Sequence, residues 1–217
     1  MAKSKHNRKR KPRNQPRPRA GRARGVQFSA GPDHLRLMSF EIHGEPLGKI
    51  HPRVEPLLTK AIDALRAGKG AKAEGFLKQA LEIDPNDPPL LNNLSMAYAL
   101  QGQKQKAEEL TYEIHSRFPD YLFGRTNLAL ILIDQGEIER ADELIQPLLS
   151  RKRFHFAEFS ALCIVHIKLL LAEGNREAAK SWLEMLEQVD PADPNLPALR
   201  AQVNPNVRDL LRALIRR

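Results

Sequence analysis

The chain reads as an all-α protein: a solenoid of about four stacked helical hairpins, with a basic tail ahead of it and an amphipathic helix closing it. Three observations predict this. Gly68, Gly102 and Gly136 recur every 34 residues, and Gly174 follows after a four-residue slip. Ala73, Ala107, Ala141 and Ala179 each stand five residues behind those glycines. Apolar residues at helical spacing flank every glycine on both sides. A fixed period in this range marks units that cannot bury their apolar faces alone and must stack.

The first element is the tail. Residues 1–25 hold 11 Lys or Arg and no acid, whereas residues 26–217 hold 24 Lys or Arg against 26 Asp or Glu. The +9 net charge therefore belongs to the tail. With three prolines and no core-forming residue, the tail has nothing to offset the entropy of ordering, which predicts disorder. Its cations, Lys3, Lys5, Arg8, Lys9, Arg10, Lys11, Arg13, Arg17, Arg19, Arg22 and Arg24, suit a polyanion such as RNA, DNA or a ribosome. The tail has no aromatic residue for base stacking, so such binding is expected to be nonspecific. KHNRKRKPR would pass as an import signal in a eukaryotic source.

Residues 26–53 read as a linker. Within it, HLRLMSFEIH (34–43) could form a short strand or lie along the first unit, before Gly44, Pro46, Gly48 and Pro52 interrupt it. The array then occupies 54–191, in units at about 54–87, 88–121, 122–155 and 160–193. Unit one carries Leu57, Leu58, Ala61 and Leu65, a turn at RAGKG, then Ala73, Leu77 and Ala80 up to Asp84-Pro85. Proline closes the unit because it lacks the amide donor and restricts its predecessor. Unit two repeats this through Leu91, Leu94, Tyr98, Ala107, Leu110 and Pro119. Unit three has Leu128, Ala129, Leu132, Ala141 and Ile145, but Arg153 stands where the closing proline is due. Unit four has Ile167, Leu170, Ala179, Leu183 and Pro191. The missing proline and the slip together predict a longer, looser connection at 153–159. Residues 194–217 are expected to cap the array: after Asn204-Pro205, Val207, Leu210, Leu211, Leu214 and Ile215 form one apolar stripe.

These residues resemble the tetratricopeptide repeat family, whose 34-residue unit carries a W-x₂-L-G-x₂-Y…A-x₃-F…P signature. Unit two matches best, through Leu91, Leu94, Ser95, Tyr98, Ala107, Thr111 and Pro119. The resemblance implies a right-handed superhelix whose concave wall is built from the first helix of each hairpin. It implies a protein-interaction adaptor, with groove positions at Leu58, Ile62, Leu65, Asn92, Asn93, Met96, Leu100, Phe123, Asn127, Leu130, Ile164, Lys168 and Leu171. Members that clamp a carboxylate use Lys and Asn early, a second Asn, then Lys and Arg. Leu58, Ile62, Asn93, Phe123 and Asn127 stand there in this chain, so the cationic pair is missing and an apolar-anchored peptide or helix suits the wall better. The alternative is a nucleic-acid-binding protein whose array dimerises or presents the tail.

No catalytic constellation emerges, and a non-enzyme without cofactor or metal is expected. AGKGAKAEG (67–75) departs from the phosphate-loop pattern and falls on a hairpin turn. His34, His43 and His51 lack accompanying cysteines or paired acids. Cys163, between His155 and His166, falls on a core position and reads as a buried structural thiol. As the single cysteine it excludes an internal disulfide and suits a reducing compartment, the cytoplasm. No apolar run approaches the ~20 residues needed to span a bilayer, and no apolar segment follows the positive start as a secretory signal requires.

Overall fold

The computed structural model describes residues 24–28, 38–44 and 50–205. Tail residues 1–23 and the apolar stripe at 207–215 lie outside them. Four helical hairpins follow in order: α1 (Glu55–Arg66) with α2 (Gly70–Ile83), α3 (Pro88–Leu100) with α4 (Lys104–Arg117), α5 (Leu122–Gln135) with α6 (Ile138–Leu149), and α7 (Phe156–Ala172) with α8 (Arg176–Val189). A short α9 (Leu196–Val203) ends the described chain.

The repeating glycines each close a first helix. Gly68, Gly102, Gly136 and Gly174 take φ values of 68°, 74°, 80° and 80°, a left-handed conformation that a Cβ disfavours. The next amide in each case reaches back five residues: Lys69 to the Ala64 carbonyl (2.9 Å), Gln103 to Tyr98 (3.0 Å), Glu137 to Leu132 (2.8 Å) and Asn175 to Leu170 (2.8 Å). This is the helix-ending motif that glycine permits, and it satisfies carbonyls that the helix leaves free. Ala73, Ala107, Ala141 and Ala179 are buried where the paired helices approach. The closest approach is at Gly70, where a Cβ would stand 2.7 Å from the Ala97 carbonyl of α3.

The slip has a different cause from the one expected. Helices α3, α5 and α7 begin at 88, 122 and 156, so the start of unit four keeps the 34-residue step. The additional residues lengthen α7, which has 17 residues against 14 in α5. One extra turn leaves the buried face unchanged, so packing tolerates it. Unit four thus starts at Phe156, not near 160. The connection before it is not loose either. Pro147 lies in the last turn of α6, which stops at Leu149, and Arg153–His155 then form strand β3.

Strand β3 belongs to a three-stranded sheet with β1 (Arg24–Phe28) and β2 (Met38–His43), in the order β1-β2-β3. β1 pairs antiparallel with β2, and β2 pairs parallel with β3, placing Ile42 opposite Phe154. The 34–43 segment therefore yields its strand at 38–43. The expected tail ends in β1, which takes in Arg24 and Gly25, because the ladder satisfies their backbone groups. The sheet packs on unit four through Phe40, whose ring lies 5.7 Å from Phe154, 5.1 Å from Phe159 and 6.3 Å from Trp182. Phe40, Phe154 and Phe159 are fully buried.

At the far end, α9 packs on α8 and α7 and buries Leu196, Leu199 and Val203. Arg176 fixes its last turn by donating to the carbonyls of Gln202 (2.6 Å) and Val203 (3.0 Å). Part of the expected capping region is thus α9, over the outer face of unit four.

Candidate peptide-binding groove

The first helices meet one another in sequence, α1 with α3, α3 with α5 and α5 with α7, whereas the second helices make no comparable contact among themselves. A stack of hairpins that touches along one side only must curve, with that side innermost. The wall formed by α1, α3, α5 and α7 is therefore the concave one, and the predicted groove positions lie on its helices.

Their exposure divides them. Met96 and Leu100, one turn apart on α3, are 46% and 49% exposed. Ile62 and Leu65 on α1, Phe123 and Leu130 on α5, and Ile164 and Leu171 on α7 are half-buried and rest on the core below. Lys168 is half-buried and contributes a cation. Leu58 and Asn92 are buried, so they support the wall rather than present a surface. Asn127 donates from Nδ2 to Oδ1 of Asn92 (2.8 Å), an amide pair that ties unit three to unit two on this side. Asn93 donates to the Pro89 carbonyl of its own helix (2.8 Å), which occupies the one amide shared with the carboxylate-clamp pattern.

Local sequence sets this wall. Asp87 accepts from the Leu90 amide (2.8 Å) and starts α3, with Pro88 in the first turn. His155 caps α7 by accepting from the Ala157 amide (3.2 Å), while Glu158 accepts from the His155 amide (3.0 Å). Glu158 also holds Arg151 (2.7 and 3.2 Å), whose guanidinium lies over the Phe154 ring. At the other end of α3, Gln101 donates to Glu74 of α2 (2.8 Å); Lys78 and Gln101 together hold that carboxyl below its usual range.

The other titratable groups are set by burial. Desolvation pushes the Cys163 thiol well up, so it is a protonated core group and not a poised nucleophile. Burial lowers His166 to about 4 and also lowers His155, which His43 depresses further. The His43 and His155 rings lie 5.9 Å apart, edge to face. His166 packs edge-on against Trp182 at 4.5 Å, and its Nδ1 is buried without a hydrogen-bond partner. Among the described residues no three or more His, Cys, Asp or Glu side chains gather as a metal site. No described helix is long and apolar enough to cross a membrane. Of the predicted tail cations, Arg24 enters β1 and the rest lie outside the described residues. The sheet and its histidine pair were not foreseen; the alternation in MSFEIH and RFH was the available signal.

Comparison with known proteins agrees with this geometry. A tetratricopeptide repeat family model matches residues 76–109. Cellulose synthase operon protein C of Pseudomonas fluorescens (strain SBW25) is 27% identical over 142 residues, 64% of this chain. The chain spans only 11% of that relative's length. A thermophilic tetratricopeptide-repeat protein of Thermus thermophilus superposes with a TM-score of 0.50 at 18% identity, covering 75% of this chain and 96% of that one. The APC/C hetero-tetramer Cut9–Hcn1 gives a TM-score of 0.51 at 18% identity, over 69% of this chain and 29% of that one. At such identities the structures share the fold alone. Arrays of this kind generally mediate protein–protein interaction and are typically not enzymes. With its four glycine-closed hairpins stacked into a curved solenoid, the chain has the fold of tetratricopeptide-repeat proteins, and residues 76–109 match that family's model.

Proposed function

We propose that the protein is a non-enzymatic adaptor whose concave wall takes up a peptide or helix with apolar anchors, while its basic tail attaches nonspecifically to RNA, DNA or the ribosome. The carrying observation is the pair Met96 and Leu100, half-exposed side by side on α3. An apolar patch kept open to water at this position is what an anchor residue would cover. The half-buried Leu65 and Leu130 on the flanking helices would extend the contact, and Lys168 would meet an acid on the ligand. Leu58, Phe123 and Asn127 stand where a carboxylate clamp has its cations, which argues against a C-terminal carboxylate as the main determinant. The single buried thiol suits a reducing compartment, and the cytoplasm is the proposed site of action.

The test is a double substitution, Met96→Glu with Leu100→Glu. Both side chains are exposed, so helix content and Tm are expected to hold. Crosslinked partners recovered by the native chain, with crosslinks mapped to α3 and α5, are expected to disappear. Undiminished capture through those helices would remove the groove assignment.

A second reading rests on the 11 cations of the first 25 residues: a nucleic-acid-binding protein in which the array dimerises or presents the tail. Nuclease treatment separates the two. Partner release by nuclease, with no effect of the Met96 and Leu100 substitutions, would favour the second.

A further inference from the structure

The turn ends of the four hairpins lie in one row, because the units stack side by side at about 10 Å. Charge along that row changes sign. From two residues before each repeat glycine to four after it, unit one carries Arg66, Lys69 and Lys72 with no acid, and unit two carries Lys104 and Lys106 with no acid. The same seven positions carry Asp134, Glu137 and Glu139 against Arg140 in unit three, and Glu173 and Glu177 against Arg176 in unit four. All but Glu137 are exposed. The cations of the acidic half are already engaged. Arg140 pairs with Glu137, and Arg176 donates to the carbonyls of Gln202 and Val203. In the basic half Lys104 is offset by Glu108 (3.4 Å), whereas Lys72 and Lys106 lie over the neutral rings of Phe76 and Tyr98 and keep their charge. Just beyond the row, Glu74 is held by Lys78 (2.7 Å).

We propose that this row docks a second copy of the chain, set antiparallel about a two-fold axis that passes between units two and three. Rotation about that axis brings unit one of each copy to unit four of the other, and unit two to unit three. Lys69 and Lys72 then face Glu173 and Glu177 of the second copy, and Lys106 faces Asp134 and Glu139. Every such meeting occurs twice, as a self-complementary interface requires. The parallel arrangement sets like charge on like at every unit and is disfavoured. The row is about 40 Å long and two helix layers, about 20 Å, deep. Full cover therefore approaches about 800 Å² per copy, the area of an ordinary specific interface. Its contacts are charged rather than apolar, so the dimer is weak and salt-sensitive. The row is separate from the concave wall, and capture of a partner in the groove does not depend on it.

The experiment measures the mass of the full chain in solution by sedimentation equilibrium at about 100 μM, within reach of a micromolar dimer. The native chain is expected to dimerise at about 0.1 M salt and to dissociate at about 1 M, where the screening length falls from about 10 Å to about 3 Å. Lys69→Glu with Lys72→Glu makes both ends of the row acidic. Glu173→Lys with Glu177→Lys makes both ends basic. Each double variant alone is expected to dimerise more than about tenfold more weakly, with helix content and Tm close to native. Mixed one to one, the two variants are expected to recover the dimer as a heterodimer, because each acidic end again meets a basic one. Recovery in the mixture is an outcome that misfolding of either variant would not produce. A native chain that stays monomeric at both salts overturns the proposal. So does a dimer that survives in each variant alone, which would place the contact elsewhere, in the basic tail or on the groove. Two monomeric variants whose mixture also stays monomeric overturn the antiparallel pairing.

Discussion

Phe40 and Phe154 meet edge to face, ring centroids 5.7 Å apart, and so join a strand near the N-terminus to the connection between units three and four. Phe40 is 2% exposed and also contacts Phe159 and Trp182. Aromatic pairs of this geometry add to the value of the area they bury. Phe40→Ala is expected to cost about 3–5 kcal/mol within unit four and the sheet. Limited proteolysis should then cut within Met38–His43 faster than in the native chain, while most helical signal survives. Loss of all helical signal would mean that the sheet nucleates the array instead of decorating it.

The hairpins were legible from sequence and the sheet was not, for physical reasons. A left-handed turn demands glycine and a close helix contact demands alanine, so Gly68, Gly102 and Gly136 with Ala73, Ala107 and Ala141 print the period directly. Strand β3 is three residues long and pairs with a segment more than 100 positions away, and no local pattern encodes such pairing. The extra turn of α7 hid differently: a near-integral turn preserves the apolar face, so the slip could be placed anywhere between Arg153 and Gly174. On the groove, periodicity found the helices but could not separate exposed Met96 from buried Leu58 and Asn92. That division depends on how tightly neighbouring units close over each position.

The glycines divide into opposite predictions. Gly102→Ala forces a Cβ into φ 74° and is expected to destabilise by about 1–2 kcal/mol. Gly75, inside α2, has no positive φ, and a Cβ there meets nothing within 4 Å. Gly75→Ala should stabilise by about 0.5–1 kcal/mol, because glycine is a poor helix former. Denaturant unfolding of both variants checks the pair; a stabilised Gly102→Ala would contradict the turn assignment.

The Asn127–Asn92 amide pair is the polar tie between units two and three on the inner wall. Asn127→Ala removes the donor and leaves the Asn92 side-chain oxygen buried and unpaired. The expected cost is about 1–3 kcal/mol. Asn127→Asp places a carboxylate against that oxygen and should cost more. Hydrogen exchange localises the effect: protection should fall first in α3 and α5, while α8 is unaffected. Uniform loss across the array would indicate that the two units do not open separately.

Acid should loosen unit four before the rest of the array. Burial holds His166 at about 4 in the folded chain, against an ordinary value of 6.5. Between those values the unfolded chain binds the proton and the folded chain does not, so stability falls as pH falls. Above 6.5 both states are neutral and the histidine contributes no pH dependence. Through the window the loss from His166 reaches about 2 kcal/mol near pH 5 and about 3 kcal/mol near pH 4, where it levels off. His155 acts in the same direction, its value lowered first by burial and then by His43. Protonating its Nδ1 also removes the acceptor that caps α7 at the Ala157 amide. Asp142, which faces His166, and Glu158, which faces His155, oppose both effects and are included in those directions. His166→Leu should therefore flatten most of the acid limb of a Tm-against-pH curve. His155→Asn, which keeps a capping acceptor without titrating, should remove a smaller part. An acid limb of unchanged steepness in the double variant would place the acid-labile group outside unit four.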